Sequence, residues 1–469
     1  MSGLALELGL ALLMLAVFLA GLLSKGEDRS RVGVLALAGT LVLLGFSLVL
    51  KPVGPLFGGI WVVDGLALFA KQIFLGATLI GILGSLSLHG AAFRRRAPEY
   101  YLLLLSSLLG MLALASAREL ILLFVAFELM SIPLYVLAGF AKREPDAVEA
   151  SLKFFLVGTV SSAILAYGLS FVYGAARTTQ LAGVAKALET RDPLLILGLL
   201  AVLAGFGFKI AAFPFHMWVP DTYEAASTPF VAWLSVAPKA AGFVALFRVY
   251  LEGAQDRAAL WVPIVAGLAA ITIVAGNLMA LPQQNTKRLL AYSGIAHIGY
   301  MLMGFAAVSA SGTAMVLFYL VAYVFGNMGA FLVVEAVAQA EGSVHLNALK
   351  GLAQRSPLLA LAMLLFLLSL GGIPFVAGFW AKLYVFWAAA QVGLYWLVAI
   401  GAVLTVVALF YYLLVAKRMY IDLPERSGPI SVTPALSLSV LLCALGVVVV
   451  GVYPKPLVMA AMRAASALF

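Results

Sequence analysis

Fourteen long apolar runs, joined by short connections, constrain this chain more than any other feature of its sequence. They lie at about 4–23, 32–50, 65–90, 100–117, 119–140, 153–175, 194–213, 230–251, 258–281, 288–308, 312–338, 357–391, 394–416 and 434–452. About twenty consecutive apolar residues are needed for a helix to cross a hydrocarbon core, so each run reads as a span. The pattern predicts an all-α integral membrane protein with about 14 transmembrane helices. Of the 469 residues, 64% are hydrophobic and 10% charged, against about 25% charged in soluble domains. Little chain is left for a soluble domain.

Several function classes lose their support at once. A single cysteine, Cys443, excludes a disulfide framework and a chain-contained iron–sulfur cluster, which takes about four thiolates. The chain carries no Walker loop and no GxGxxG fingerprint for a nucleotide. A net charge of +9 does not point to nucleic acid, because the basic residues are dispersed over short loops where topology accounts for them. The first run contains Glu7 and is followed, not preceded, by Lys25, Arg29 and Arg31, the reverse of a cleavable signal peptide. Alternating sides from there puts sixteen Lys and Arg on one side, Arg94, Arg95, Arg96, Lys287 and Arg288 among them, and nine on the other, including Arg118, Arg191 and Arg248. The positive-inside rule makes the first side cytoplasmic, with both termini outside.

Two runs carry internal breaks. Pro214 follows Lys209 in the seventh, and Gly371, Gly372 and Pro374 interrupt the twelfth ahead of Lys382. Proline removes an intrahelical hydrogen bond, and paired broken helices point to inverted repeats around a transport site. Five spans separate the breaks, which predicts two inverted five-helix repeats, 100–251 and 256–416. Residues 1–99 precede them as three helices, and 417–469 follow as a loop and a last helix.

Sorting the charged residues by depth leaves few at membrane level, where a charge costs about 2.5–3.5 kcal/mol on insertion scales. Lys71, seven residues after Asp64, is expected to snorkel or to pair. Lys209 (AGFGFKIAAF), Lys239 (LSVAPKAAGF) and Lys382 (FVAGFWAKLYVFW) sit well inside apolar runs. Burial penalises the ammonium and brings proton exchange within reach of neutral pH, which makes these lysines candidate relays; a static charge that fixes helix packing is the alternative. Glu128 (FVAFELMSIP) lies mid-span and has to be neutral or paired. With Lys209 as its partner, separation would favour proton release and approach proton retention. His297, among Tyr292, Ser293 and Tyr300, is a candidate relay or a packing group. Lys287 and Arg288 read as interface anchors or as part of a proton inlet, and Glu335 and Asp221 as structural helix-end residues. His216, Asp221 and Glu224 make a poor metal set, with no second histidine nearby.

FELMSIPLYVLAGF, FGFKIAAFPFHMWVPDTYEAASTPFVAWLSVAPKAAG, NTKRLLAYSGIAHIGYMLMGF and GGIPFVAGFWAKLYVF closely resemble the antiporter-like membrane subunits of respiratory complex I, the proton-pumping NADH-quinone oxidoreductase. The likeness runs from about residue 60 to 420. Lysine at 382 and the first of these segments look like the N branch of that family rather than the M branch. The resemblance implies Glu128 and Lys209 as a modulating ion pair, Lys239 as the central lysine, Lys382 toward an exit half-channel and His297 on the central axis. It further implies a bacterial inner-membrane location, neighbouring antiporter-like and small membrane subunits, and a hydrophilic redox arm. NAD, FMN, iron–sulfur clusters and quinone would belong to those partners, with no cofactor on this chain. The alternatives are a large subunit of a multisubunit cation/proton antiporter, and a membrane scaffold whose buried charges only lock helices together.

Overall fold

In the computed structural model, residues 2–24, 26, 28–88, 90–187, 193–426 and 428–469 are described. Lys25 and Arg191 of the orientation argument lie outside them. The chain is a helical bundle: α1 Ala5–Leu23, α2 Val32–Val49, α3 Gly65–Ser85, α4 Ala97–Ser116, α5 Leu120–Ala138, α6 Pro145–Ala176, α7 Pro193–Ile210, α8 Trp218–Ala225, α9 Thr228–Leu234, α10 Ala237–Leu246, α11 Ala258–Ala280, α12 Thr286–Ala306, α13 Ala310–Glu341, α14 Pro357–Gly371, α15 Ala377–Gln391, α16 Tyr395–Tyr420, α17 Pro434–Val452 and α18 Lys455–Ala465. Among the described residues, thirteen helices, with α9–α10 counted as one, are long and apolar enough to cross a membrane. Stacked end to end, α14 and α15 make the fourteenth crossing.

Loop contacts sort the connections onto two faces. On face one, Arg29 N donates to Arg94 O, Leu346 N to Gln284 O, and Gly351 N to Arg418 O. Lys350 donates to Glu425 at 2.7 Å and holds that exposed carboxyl below the usual range. On face two, Arg118 N donates to Ile60 O and Leu120 N to Thr179 O, above a small hairpin of Gly54–Leu56 against Trp61–Val63. α18, a short amphipathic helix absent from the sequence reading, lies on this face.

Burial divides the helices by role. The α9–α10 span is wholly buried, whereas a third of α1, α2 and α17 is. Those outer helices expose Leu12, Val42 and Leu441, and α16 adds Val406 and Phe410. An aqueous protein has no use for such a surface, and lipid does.

Close helix contacts are made at glycines, as small residues allow. A β-carbon at Gly110 on α4 would stand 2.3 Å from the amide nitrogen of Met130 on α5, and one at Gly276 on α11 would stand 2.4 Å from that of Ala296 on α12. The second contact lies equally far along the chain in both partners. The same displacement relates two helix starts: Glu119 caps α5 and bridges to Gln180 on face two, and Asn285 caps α12 and bridges to His345 on face one.

Gly276→Ala is expected to destabilise the protein by about 1–3 kcal/mol through overpacking. Gly267→Ala on the same helix, where nothing stands within 4 Å, is expected to be neutral or to stabilise by up to about 1 kcal/mol through helix propensity. Thermal unfolding in detergent separates the two; equal midpoints would contradict the packing reading.

Candidate functional site

Three interruptions of helical geometry set the site. α7 ends at Ile210, and the chain turns through Ala211 (φ 66°) and Pro214 before α8 resumes. α14 ends at Gly371, followed by Gly372 (φ 83°) and Phe375 (φ 73°) before α15. Both breaks stand where the sequence places them. The third was not foreseen: the eighth span is not continuous over 230–251 but breaks between α9 and α10. Pro238 lies in the first turn of α10 and has no N–H to continue the ladder from α9.

Each break presents a lysine. Lys209 closes the last turn of α7, Lys239 follows Pro238, and Lys382 lies on α15; all three are buried, with relative exposures of 2%, 0% and 5%. Among the described residues none of the three is within ion-pair distance of a carboxylate, and the ammonium nitrogens of Lys209 and Lys239 have no hydrogen-bond partner. Lys382 donates to Gly371 O at 3.2 Å, an acceptor freed by the break. Aromatic faces surround the charges instead. Lys209 Nζ is 5.0 Å from the Phe127 ring, Lys239 Nζ 5.4 Å from Tyr223 and Lys382 Nζ 4.9 Å from Tyr300, within cation–π range.

Half-buried Glu128 lies on α5 beside this row. The expected contact with Lys209 is not made: no Glu128 oxygen approaches Lys209 Nζ to 4.0 Å, and Glu128 Oε1 is itself buried without a partner.

His297 joins the rest of the row. Its Nδ1 is 2.7 Å from Tyr319 Oη and its Nε2 3.3 Å from Tyr412 Oη, and Tyr412 is hydrogen bonded to Ser293. A β-carbon at Gly294, one turn earlier, would meet Tyr323 Oη at 2.7 Å and Lys239 Nζ at 3.6 Å, so both atoms face the notch this glycine leaves. On the other side, the His297 ring is 6.1 Å from the ring of Tyr300, which lies under Lys382. Lys239, His297 and Lys382 therefore follow one another along a row with Tyr323 and Tyr300 between them, and the Lys209 stem packs against Gly242 on α10.

Several other buried charges have partners. Lys71 does not pair with Asp64; it meets Glu7 of α1 at 2.6 Å. Asp64 caps α3 and binds Arg248, which lies near face two and is wholly buried among protein there. A π-helical turn, Phe247–Glu252, puts Arg248 and Glu252 in contact, and Glu252 also meets Arg118 at 2.6 Å. On face one, Arg288 bonds Asp221 and Glu224 at 2.8 Å each. Lys287 donates to the carbonyls of Glu224 and Ala226 at 2.8 and 2.6 Å. His216 stacks on Phe213, and among the described residues no cluster of three or more metal-ligating side chains forms.

A conserved-family description, NADH:quinone oxidoreductase/Mrp antiporter, TM, matches residues 117–408, which contain every break and every lysine of the row. The chain belongs to this family. It is 42% identical to NADH-quinone oxidoreductase subunit N of Moorella thermoacetica, over 99% of this chain and 98% of that protein, and 41% identical to the subunit N of Heliobacterium modesticaldum, over 100% and 99%. Among solved structures, respiratory complex I from Thermus thermophilus with bound aureothin contains a chain 34% identical to it, with a TM-score of 0.83 over 97% of this chain and 98% of that one. The Mrp complex from Dietzia shares the fold, with a TM-score of 0.88 at 23% identity over 99% and 97%.

Removing one partner of a buried pair leaves an uncompensated charge, whereas replacing both is often neutral. Glu7→Gln is expected to destabilise the protein by about 3–5 kcal/mol, and the double variant Glu7→Leu, Lys71→Met to recover most of that loss. Thermal unfolding of the single and double variants checks this; a double variant as unstable as Glu7→Gln would contradict it.

Proposed function

We propose that this chain works as an N-type, proton-translocating membrane subunit of an NADH:quinone oxidoreductase, and that Lys209, Lys239, His297 and Lys382 carry the proton. The observation behind this reading is the row of buried lysines without carboxylate partners, each at a helix break. A purely structural charge would be expected to resemble Lys71 or Arg248, each in an ion pair. These lysines are held against aromatic faces, with one carbonyl at Lys382, so neither protonation state is locked by an ion pair.

In this mechanism Glu128 modulates Lys209. Its approach favours the ammonium and its withdrawal favours proton release, the arrangement here being the withdrawn one. A proton released from Lys209 passes to Lys239, through His297 and its tyrosines, and on to Lys382. Electron transfer from NADH to quinone, with FMN and iron–sulfur clusters, takes place in partner subunits, and a conformational or electrostatic change arriving from them would move Glu128 relative to Lys209.

Residues 100–251 and 256–416 are read as inverted five-helix repeats, supported by the recurrence of the glycine contact and of the capped helix start on opposite faces. Face one, with Arg29, Arg31, Arg94, Arg95, Arg96, Lys142 and Arg143 among its basic residues, is read as cytoplasmic. Both termini then lie outside a bacterial inner membrane. A large subunit of a multisubunit cation/proton antiporter has weaker support, because the likeness to the Mrp complex is one of fold at 23% identity, whereas the subunit N relatives are 42% and 41% identical.

Lys239→Ala is expected to slow proton transfer through this chain by about 10²-fold or more, in the range a positioned acid–base group supplies. The readout is the ratio of protons moved to electrons transferred in the assembled complex in proteoliposomes. An unchanged ratio in a complex that assembles would favour the scaffold reading and overturn this one.

A further inference from the structure

Five residues of α13 recur at a spacing of four, Tyr319, Tyr323, Asn327, Phe331 and Glu335, and so form one slanting ridge about 24 Å long at 1.5 Å per residue. Its inner end is the row already described. Tyr319 meets His297, and Tyr323, whose buried hydroxyl has no partner, faces the Gly294 notch beside Lys239. Next along, Asn327 Nδ2 donates to Ser235 Oγ at 2.7 Å, in the break before Lys239, while Asn327 Oδ1 is buried and unpartnered. Phe331 packs edge-on against Tyr223, ring centroids 5.8 Å apart, and Tyr223 is the ring under Lys239, its own hydroxyl buried and unpartnered.

The outer end of the ridge opens into a cavity. Glu335 lines a cavity of about 480 Å³ on face one together with Ser87, Gln339, Ser431 and Thr433. Gln339 Nε2 donates to Glu335 Oε1 at 2.7 Å and to Ser87 O and Oγ at 3.2 Å. Thr433 Oγ1 is buried there without a partner. Buried polar atoms are nearly always satisfied, and water is the partner that fits a row of them where the protein offers none.

We propose that Glu335 is the loading carboxylate of a proton inlet that runs from this face-one cavity along the α13 ridge to Lys239. The proposal rests on the reading of Lys239 as a proton carrier. Glu335 takes a proton from water in the cavity onto a carboxylate oxygen and gives it to a water beyond Phe331. Waters on Asn327 Oδ1 and Tyr323 Oη pass it to the neutral amine of Lys239, and the carboxylate reloads from the cavity. Asn327 and Glu335 are about 12 Å apart along the helix, a gap that about four hydrogen-bonded waters span. The Phe331–Tyr223 contact is the dry step between them, and wetting it opens the inlet.

The competing role for Glu335 is to balance Lys287, whose ammonium feels this carboxylate. The assembled complex in proteoliposomes separates the two. Glu335→Gln is expected to slow proton uptake by roughly tenfold or more, the low end of what a positioned acid–base group supplies. NADH oxidation by the redox arm and the amount of assembled complex should be retained, with Glu335→Asp restoring uptake. Asn327→Leu, which keeps the branched shape without the polar atoms and leaves the Glu335–Lys287 region intact, should slow uptake too. Normal uptake in Glu335→Gln or in Asn327→Leu, with Lys239→Ala defective, would overturn the inlet and leave the lysine row standing. Normal uptake in Lys239→Ala as well would remove the row and the inlet together.

Discussion

An ammonium group in a low-dielectric interior is the constraint on which the rest of this structure turns. Desolvation makes it expensive, and the bundle answers in two ways. Near face two the answer is saturation: Glu7 for Lys71, and Asp64, Glu252 and a backbone carbonyl for Arg248. These contacts tie α1, α3, α10 and the α4–α5 junction to one another. Along the centre the charge is left without a carboxylate and softened by aromatic faces and, at Lys382, by a carbonyl that the broken helix releases. One arrangement fixes a charge, and the other leaves it free to change.

The helix breaks follow from that second arrangement. An unbroken helix has all its interior carbonyls occupied, so a lysine on it would find only side chains. Ending α14 at Gly371 frees the carbonyl that Lys382 uses, and Pro238 opens the backbone one residue before Lys239. The most buried helices, α9–α10, α12 and α13, are also those that carry Lys239, His297 and the α13 ridge. Lipid-facing helices insulate the row from the membrane.

Much of this is legible in the sequence, because a span is a local property. The apolar runs, the two Pro and Gly breaks and the lysines inside apolar stretches are read from neighbours a few residues away. What escapes reading is non-local. Lys71 looks toward Asp64 in sequence, yet its partner Glu7 comes from another helix; nothing near Arg248 in sequence shows that distant Asp64 closes on it and buries it. Two features were available and missed. Pro238 in VAPKA signals the third break by the logic applied to Pro214, and Tyr319, Tyr323, Asn327 and Glu335 stand at a spacing of four that a period search within one apolar run reveals. The separation of Glu128 from Lys209 is non-local too, because the two residues stand on helices far apart in sequence.

The central claim is that the lysine row conducts protons and is not merely tolerated. A map of the assembled complex at a resolution that places ordered waters tests it most directly. The account predicts waters that link Lys209, Lys239, His297 and Lys382 into one hydrogen-bonded row through the unpartnered atoms of Tyr323 and Asn327. Lysine ammonium groups enclosed in dry apolar packing, with no water between Lys239 and His297, would contradict it.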